Sequence, residues 1–421
     1  MQYQAPTGTQ DILPEDQPYW RYVIGRMRHI AEQYGFQEMD VPIFEDMSLF
    51  ARGVGEATDI VEKEMYTFQD RGGRALALRP EFTAGVMRAY VEHGMRVRPS
   101  PVKLYSLGPI FRYERPQAGR YRQSTQLNVE AIGEQDPAAD LETMSVAWHI
   151  YADLGFGGLS FQLNSTGCPQ CKPGYNQVLV AHYQDHLSTI CDDCKRRLGA
   201  NPLRVLDCKQ TQCQPIIEGA PHITAHLCKE CADHFAALRS YLDDLGRPYT
   251  LNHRLVRGLD YYTKTVFEVW AEGIGAQNAL CGGGRYDGLV ELVGGPPTPS
   301  VGFATGIERI ILTLKEQNIE PPPLPAPQVL LAYRGETAKH VAIRLLYQLR
   351  EAEVGAVMGF GDRSLKAQLR QAGRQGMAYV LILGGDEVAA GKVTARDMAE
   401  GRQESVDQNV IVTWLKNRLT P

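Results

Sequence analysis

Apolar and polar positions alternate with two different periods along most of the chain, and each period predicts a type of element. From Gln17 to Tyr34 the apolar residues recur at helical spacing between Pro14 and Gly35, which predicts an amphipathic helix of about five turns. Short apolar segments bounded by Gly and Pro predict strands at 75–78, 102–107, 127–132, 161–164 and 265–270. Because regular crossover helices do not separate these strands, the pattern favours an α+β fold with a mostly antiparallel sheet and flanking helices.

A proline-rich segment sets the C-terminal part of the chain apart. Residues 321–327 contain five prolines, which predicts a stiff, extended linker and a domain boundary. Beyond it, apolar segments at 329–332, 354–358 and 379–383 alternate with predicted helices at 338–352, 364–373 and 409–419. Such alternation predicts a compact α/β domain with a largely parallel sheet.

Composition and charge narrow the class of protein. The 421 residues are 43% apolar and 22% charged, which is ordinary for a globular protein and excludes a disordered or fibrous chain. No segment reaches the about 20 uninterrupted apolar residues of a membrane span, and the first residues lack the pattern of a signal peptide. We therefore expect a cytoplasmic protein without membrane contact. The net charge of −5 argues against binding nucleic acid through bulk electrostatics.

One segment has the opposite charge. Between Arg96 and Arg122 there are seven basic residues and a single acid, Glu114. A solvated basic surface is the simplest interpretation. However, Phe111 and Tyr113 alternate with the arginines, so several guanidinium groups can emerge on one face of a strand pair, which favours a polyanionic ligand.

Eight of the nine cysteines lie within a predicted helical insertion at about 166–250. They form four close pairs: Cys168 and Cys171, Cys191 and Cys194, Cys208 and Cys213, Cys228 and Cys231. Such pairs suit tetrahedral zinc, so two structural sites of four cysteines each are arithmetically possible. In a cytoplasmic protein zinc outranks disulfides, and buried free thiols or redox chemistry would also fit the pairs. The spacing leaves open which pairs would share an ion.

Polar residues that could carry chemistry are concentrated in a few short islands. In the first, at 78–83, a predicted strand is followed by Glu81, for which a surface salt bridge is the simplest interpretation. In the second, Arg112 and a basic loop precede a strand in which Gln126 and Glu130 share one face by alternation. If the two strands of this island pair, a basic arm lies above a polar, acidic floor, which suits a ligand with both phosphate and amine groups.

Two further islands lie at 256–263 and 280–288, and the second contains the consecutive glycines at 282–284. Three glycines permit very close approach of the backbone to a ligand or to a neighbouring strand. Neither G-x-G-x-x-G nor G-x-x-x-x-G-K-[ST] occurs, so a Rossmann or P-loop phosphate site is not supported. A last segment, at 302–309, opens a predicted helix and places Arg309 about one turn into it.

Together these islands resemble class II aminoacyl-tRNA synthetases, and the histidyl-tRNA synthetase family in particular. Features shared across the class are Phe-Arg-x-Glu at 111–114 with its basic loop, Gly-x-Glu-Arg at 306–309 and the helix–strand region that ends in Pro42. Arg-Gly-Leu-Asp-Tyr-Tyr at 257–262 and Gly-Gly-Gly-Arg-Tyr-Asp-Gly at 282–288 are similar to the two signatures of the histidine family. The resemblance covers essentially the whole chain. It implies a catalytic domain at 1–325 with the class II antiparallel sheet, and an anticodon-binding α/β domain at 326–421.

The resemblance implies that histidine and ATP react to histidyl-adenylate and pyrophosphate, and that the histidyl group then passes to tRNA(His). It implies ATP with Mg²⁺ as substrate, a homodimer, and Arg257 as the catalytic side chain. The residues implied for binding of the amino acid are Glu81, Thr83, Arg112, Gln126, Glu130, Arg257, Tyr261, Tyr262 and Tyr286. Those implied for ATP are Arg112, Glu114, Arg120 and Arg309. Structural zinc is not implied, because the paired cysteines occur in only some relatives.

A non-catalytic, histidine-binding regulatory paralogue of ATP phosphoribosyltransferase is the alternative function. Such paralogues typically lack the anticodon-binding domain and the nucleotide-binding arginines, and both are present in this sequence. A synthetase for another amino acid is also conceivable, although its pocket would lack the sequence at 257–262.

Overall fold

The chain folds into two compact units, Met1–Pro322 and Pro323–Pro421, and the division falls inside the proline-rich segment. The structure, a computed structural model, describes residues 3–55, 58, 60–116, 119–272, 279–361 and 363–419. In these ranges, no helix has the length and apolar character needed to cross a bilayer.

A large sheet forms the base of the first unit. The strands of this unit are β1 (Gln37–Glu38), β2 (Phe44–Asp46), β3 (Thr67–Gln69), β4 (Ala75–Leu78), β5 (Val102–Phe111), β6 (Gln123–Ile132), β7 (Ser160–Ser165), β8 (Tyr249–Leu251), β9 (Thr263–Trp270), β10 (Ala279–Arg285) and β11 (Ser300–Gly306). Within the described residues, eight of them pair in the order β1-β5-β6-β11-β10-β9-β7-β8, and β2-β4-β3 form a small separate sheet. Only the outer pairs β1–β5 and β7–β8 are parallel. The predicted, mostly antiparallel sheet is confirmed.

Helices cover the sheet and build the insertion. They are α1 (Gln17–Gln33), α2 (Met47–Val54), α3 (Thr83–Glu92), α4 (Pro137–Asp153), α5 (Lys172–Gln184), α6 (Asp192–Ala200), α7 (Gln214–Glu218), α8 (Lys229–Asp244), α9 (Leu289–Leu292) and α10 (Ile307–Glu316). Short turns of π- or 3₁₀-helix lie at Ile60–Glu64, Met95–Val97, Pro202–Val205, Thr211–Cys213 and Ile223–Ala225. Helix α1 buries its periodic face, including Trp20 and Met27, in the core that also contains α4 and the main sheet. The insertion between β7 and β8 is helical, as its sequence predicted.

A buried ion pair fastens the end of β10 to helix α4. Arg285 donates to the carboxylate of Asp140 at 2.6 Å, and neither side chain is exposed. The guanidinium also donates to the carbonyl of Glu134 at 2.8 Å, and His234 lies 3.4 Å from the Asp140 carboxylate. Burial alone would raise the pKa of Asp140, but hydrogen bonding to His234 and the charge of Arg285 lower it below its usual value. The pair lies at the end of β10, directly before Tyr286.

The second unit is an α/β domain with a mixed sheet. Its elements are β12 (Val329–Tyr333), α11 (Glu336–Glu351), β13 (Ala356–Met358), α12 (Leu365–Arg374), β14 (Tyr379–Leu383), α13 (Gly385–Ala389), β15 (Lys392–Asp397), β16 (Gln403–Asp407) and α14 (Ile411–Leu419). The strand order is β13-β12-β14-β15-β16, in which the first three are parallel and the last two antiparallel. The prediction of a largely parallel sheet is therefore wrong for β15 and β16. These strands lack an apolar run, since β16 buries only Val406.

The buried pair generates the first testable expectation. Asp140→Ala should lower the free energy of unfolding by about 3 kcal/mol, because the buried Arg285 guanidinium then keeps only the partly exposed Asp287 carboxylate, 3.2 Å away, as its acidic partner. Asp153→Ala, in the same helix, is the matched control. It breaks a partly exposed pair with Arg26, which is worth about 0–1 kcal/mol. Urea unfolding followed by circular dichroism measures both losses, and equal losses would contradict the importance of the buried pair.

Candidate active site

A cavity of about 800 Å³ opens over one face of the main sheet. Its walls come from the turn before α3, from the segment that follows β5, from β6, β9, β10, β11 and α10, and from the segment 252–262, while Arg204 and Lys209 of the insertion lie at its rim. The predicted site residues that line it are Glu81, Thr83, Arg112, Glu114, Arg120, Gln126, Arg257, Tyr261, Tyr262, Tyr286 and Arg309. Glu130 lies directly beneath, hydrogen-bonded to the lining residue Asn128. Residues from separate islands of the sequence therefore meet in one site.

Glu81 forms part of the cavity floor. Its carboxylate accepts hydrogen bonds from the backbone N–H groups of Thr83 at 2.6 Å and Ala84 at 2.8 Å, so it caps the start of α3. The side chain is buried, and the interpretation of this island as a surface salt bridge is wrong. Burial raises the pKa of Glu81, although the backbone hydrogen bonds and the charge of Arg112 oppose that rise.

Glu130 is the second buried carboxyl of the floor. Asn128 donates from Nδ2 to its Oε1 at 2.6 Å, and Thr83 donates to the amide oxygen of Asn128 at 3.3 Å. Burial raises the pKa of Glu130 to about 8. Among the described residues, its Oε2 and the hydroxyl of Tyr286 have no hydrogen-bond partner. Both atoms converge on Gly302 of β11, where a Cβ would lie 2.3 Å from Oε2 and 2.1 Å from the hydroxyl.

Three buried tyrosines form a wall beside this floor. The ring of Tyr261 lies 4.8 Å from that of Tyr262 and 5.2 Å from that of Tyr286, measured between centroids. Gly284 of β10 makes room for this wall, because a Cβ there would lie 2.9 Å from the Tyr262 ring. The first of the three glycines makes room for an arginine, since a Cβ at Gly282 would lie 2.2 Å from the Arg257 guanidinium. The glycines at 282–284 therefore allow cavity side chains to lie close to β10 and also allow neighbouring strands to pack closely.

A carboxylate that the sequence analysis missed holds Arg257. Glu268 of β9 accepts from Arg257 Nη1 at 2.6 Å and from Trp270 Nε1 at 3.0 Å. Its only sequence signal was one acid within an otherwise apolar strand. The contact fixes the guanidinium over β10, facing the cavity.

Arg120 and Arg309 lie near each other in the cavity, and Arg112 lies between Arg120 and the Glu81 carboxyl. Arg112 donates from Nε to the carbonyl of Pro80 at 2.8 Å, and Arg120 contacts the carboxylate of Glu114. Arg309 of α10 donates to the carbonyl of Ala279 at 3.0 Å. Burial and the nearby charge of Arg120 lower the pKa of Arg309. This part of the cavity is therefore suited to an anionic ligand.

The remaining part of the basic segment does not reach the cavity. The Arg122 guanidinium lies 3.8 Å from the centre of the Tyr113 ring. The backbone N–H of Arg122 donates to the carbonyl of Gly8 at 2.7 Å. Arg96 and Arg98 lie at the turn Met95–Val97, outside the cavity lining. The prediction that the arginines share one face holds for Arg112 and Arg120 and is wrong for Arg122.

The paired cysteines of the insertion are not part of the cavity lining. They form two groups of four within the insertion: Cys168, Cys171, Cys228 and Cys231, and Cys191, Cys194, Cys208 and Cys213. The ninth cysteine, Cys281, does line the cavity.

Comparison with known proteins identifies the relatives of this chain. A family model described as histidyl-tRNA synthetase matches residues 8–170 and 211–310, and one described as an anticodon binding domain matches 328–418. The histidine–tRNA ligase of Dehalococcoides mccartyi is 52% identical over 417 residues, which cover 99% of this chain and 100% of the relative.

Known structures agree with the sequence relatives. Apo histidyl-tRNA synthetase from S. aureus matches with a TM-score of 0.83 at 38% identity, covering 99% of this chain and 100% of that chain. A Bacillus halodurans structure described as an ATP phosphoribosyltransferase regulatory subunit/histidyl-tRNA synthetase has a TM-score of 0.64 at 20% identity, covering 91% and 99%, which shows a shared fold alone.

The antiparallel sheet and its flanking helices are those of a class II aminoacyl-tRNA synthetase. The first family model covers more than half of the chain, and the D. mccartyi relative matches it from end to end. The chain belongs to the histidyl-tRNA synthetase family, as the sequence motifs implied. The family model leaves residues 171–210, within the insertion, unmatched.

The convergence on Gly302 can be tested by adding one methyl group. In Gly302→Ala the Cβ would lie 2.4 Å from the Val129 carbonyl of the paired strand, which cannot move aside, as well as meeting Glu130 and Tyr286. We expect a loss of about 1–3 kcal/mol in the free energy of unfolding. Gly306→Ala, in the same strand, is the control because a Cβ there meets nothing within 4 Å. Urea unfolding distinguishes the two variants, and an unchanged Gly302→Ala midpoint would show that this part of the strand pair is loosely packed.

Proposed function

We propose that this protein is a histidine–tRNA ligase that joins histidine to AMP with release of pyrophosphate and then transfers the histidyl group to the 3′ end of tRNA(His). Family membership supports the activity. The observation that supports the site is the polarity of one cavity, with the buried carboxyls of Glu81 and Glu130 at one end, the guanidinium groups of Arg120 and Arg309 at the other, and Arg112 next to Glu81. This polarity matches a cationic amino acid next to a nucleotide triphosphate.

The acidic end binds histidine in this proposal. Glu81, Thr83, Gln126 and Glu130 receive the α-ammonium group and the imidazole, whose N–H donors satisfy oxygens such as Glu130 Oε2. Tyr261, Tyr262 and Tyr286 enclose the ring. A site that hydrogen-bonds both ring nitrogens of histidine keeps unpaired buried polar atoms when it binds an analogue that lacks those nitrogens. This geometry therefore favours histidine over isosteres.

The basic end binds ATP, which carries Mg²⁺ on its phosphates. Arg112 holds the α-phosphate, Arg120 and Arg309 hold the outer phosphates, and Glu114 lies on the nucleotide side. These charged donors are already fixed before the reaction, through contacts such as that of Arg112 with Pro80. Fixed donors stabilise charge that spreads over phosphate oxygens in the transition state without reorganisation at that moment.

Arg257 lies between the two ends, which supports its role as the catalytic residue. Along β10, Gly282 lies under the Arg257 guanidinium, Ala279 contacts Arg309, and Tyr286 follows the strand. A carboxylate oxygen of histidine attacks the α-phosphorus, the bond from that phosphorus to the bridging oxygen breaks, and pyrophosphate leaves. Arg257 neutralises the attacking carboxylate and then the charge that develops on the α-phosphate. In the second step a terminal hydroxyl of tRNA attacks the histidyl carbonyl, and AMP leaves.

The other parts of the chain support partners for this reaction. We infer that residues 1–325 form the catalytic domain and that residues 326–421, which contain the anticodon-binding family match, contact tRNA. We also infer a homodimer, because the small sheet and adjoining helix expose an apolar patch: Ile43, Phe44, Met47 and Phe68. The need for tRNA and ATP leads us to infer a cytoplasmic location. The regulatory paralogue is not favoured, since the nucleotide-binding arginines and the second unit are both present.

Amino-acid-dependent exchange of labelled pyrophosphate into ATP tests the proposed function. With purified protein, Mg²⁺ and each of the twenty amino acids in separate reactions, we expect exchange with histidine alone. Exchange with a different amino acid would contradict the specificity. Silence with all twenty, in a folded sample that still binds histidine, would favour the regulatory paralogue.

Arg257→Ala tests the catalytic assignment. We expect the exchange rate at saturating histidine to fall by about 10²–10³-fold, because one fixed donor to the transition state is lost. The affinity for ATP should remain nearly unchanged, since Arg112, Arg120 and Arg309 are intact. Arg196→Ala, which removes an exposed guanidinium paired with Asp193, is the control and should keep the parental rate. An unchanged rate for Arg257→Ala would refute its catalytic role.

A further inference from the structure

The eight cysteines of the insertion converge in two separate clusters. In cluster A, defined as Cys168, Cys171, Cys228 and Cys231, and in cluster B, defined as Cys191, Cys194, Cys208 and Cys213, the four Sγ atoms all lie within 4.8 Å of one another. The fold therefore joins the first pair along the chain with the last, and the second with the third.

The sulfur–sulfur distances match those around a tetrahedral metal ion. Cys168 Sγ lies 3.7 Å from Cys171 Sγ and 3.8 Å from Cys228 Sγ in cluster A, and Cys191 Sγ lies 3.8 Å from Cys208 Sγ in cluster B. Tetrahedral ligands at a Zn–S distance of about 2.3 Å are about 3.8 Å apart. A disulfide bond needs about 2.05 Å. The clusters have the dimensions of tetrathiolate sites and are too wide for disulfides.

Backbone groups that carry positive partial charge point towards the clusters. Helices α5, α6 and α8 begin directly after Cys171, Cys191 and Cys228, so the positive ends of their dipoles face the clusters. The backbone N–H of Cys168 donates to Cys171 Sγ at 3.1 Å, and that of Cys191 donates to Cys213 Sγ at 3.3 Å. Thiolate is the form of cysteine that binds zinc.

We propose that each cluster binds one Zn²⁺ ion through four thiolates, and that the two ions hold the two ends of the active-site segment 257–262. Four protein ligands leave no open coordination position, so both ions are structural and take no part in the chemistry. The clusters lie outside the cavity lining, and the effect on the site passes through hydrogen bonds from the insertion to that segment.

Cluster A supports the C-terminal end of the segment. Lys172, which follows the second cysteine of the cluster, donates from Nζ to the carbonyl of Tyr262 at 2.9 Å, and Thr166 Oγ1 donates to the same carbonyl at 3.2 Å. The side chain of Lys264 donates to Glu230, which lies between the last two cysteines of the cluster, at 2.8 Å. Closing cluster A on an ion therefore fixes the backbone that carries Tyr262.

Cluster B supports the N-terminal part of the segment. The loop that joins Cys194 to Cys208 carries Asn201, which donates to the Asp260 carboxylate at 2.7 Å. Arg204 in the same loop donates to the carbonyl of Gly258 at 3.4 Å. The loop ends on two ligands of one ion, so metal binding limits its conformations and steadies the backbone next to Arg257.

Metal analysis of the full-length protein tests the two sites independently of activity. Inductively coupled plasma mass spectrometry and native mass spectrometry of protein purified without added chelator should give two zinc ions per chain. The paired variants Cys228→Ser/Cys231→Ser and Cys208→Ser/Cys213→Ser should each retain one. Cys281→Ser removes the one cysteine outside the clusters and is the matched control, with two zinc ions retained.

Pyrophosphate exchange by the same variants tests the link to the active site. Loss of the cluster A ion should raise KM for histidine about tenfold and change KM for ATP less, because the support of Tyr262 is lost while Arg112, Arg120 and Arg309 keep their contacts. If a paired variant fails to fold, the wild-type protein still decides the proposal. Titration with an organomercurial thiol reagent should then release two zinc ions for eight thiols, as detected with a chromophoric chelator.

Three results would overturn the proposal. The first is fewer than two zinc ions per chain in folded wild-type protein, whether its cysteines are then free thiols or form disulfides. The second is loss of both ions from either paired variant in folded form, which would contradict the assignment of ligands. The third is an unchanged KM for histidine after loss of the cluster A ion, which would remove the link to the active site.

Discussion

Three groups of the active site occupy space that side chains on β10 and β11 would otherwise fill. They are the guanidinium of Arg257, the ring of Tyr262, and the pair formed by the Glu130 carboxyl and the Tyr286 hydroxyl. Glycine at 282, 284 and 302 is the only residue that leaves this space open. The middle glycine of the run, Gly283, instead lets the strands approach, since a Cβ there would lie 2.3 Å from the Gly302 carbonyl. The cavity therefore exists because the two strands at its base carry almost no side chains on that face. The assignments of Arg257, Tyr262, Glu130 and Tyr286 depend on this constraint.

Charged side chains lie on both faces of the main sheet and have different roles on each. On the cavity side, Glu81 accepts from backbone N–H groups and Glu130 from Asn128, while Arg120 and Arg257 pair with Glu114 and Glu268. On the opposite side, Arg285 and Asp140 neutralise each other in a closed pair that a ligand cannot reach. The next residue, Tyr286, belongs to the cavity, so a structural pair and a substrate contact are adjacent in the chain. Arg285 is the last residue of β10, where the pairing with β9 shifts register, and Tyr286 lies beyond the strand.

Local patterns predicted much of this architecture. The amphipathic helix α1 and the strands β5 and β6 follow from spacing that single segments display, whereas the residues that line the cavity were assigned to one site through the resemblance to the synthetase family. The burial of Glu81 was missed because a carboxylate after a strand looks the same whether its surroundings are water or helix N–H groups. Glu268 was missed because its partner, Arg257, becomes its neighbour only when the chain turns into β9. The hairpin β15–β16 was missed because each of its strands buries only one or two apolar residues, too few to show a clear alternation of apolar and polar positions. In each case the missing information was a contact made by another segment.

The rim and the base of the cavity are formed by different parts of the chain. Sheet, tyrosines and arginines belong to the part of the chain that the family model describes, whereas Arg204 and Lys209 belong to the unmatched stretch 171–210. A synthetic inhibitor confined to the base would meet residues in the stretches that the family model matches. One extended towards the rim would also meet Arg204, Leu206, Asp207 and Lys209 of the unmatched stretch. Selectivity between members of the family can therefore be sought in the outer wall of the cavity, without altering the contacts that an inhibitor makes with the shared base.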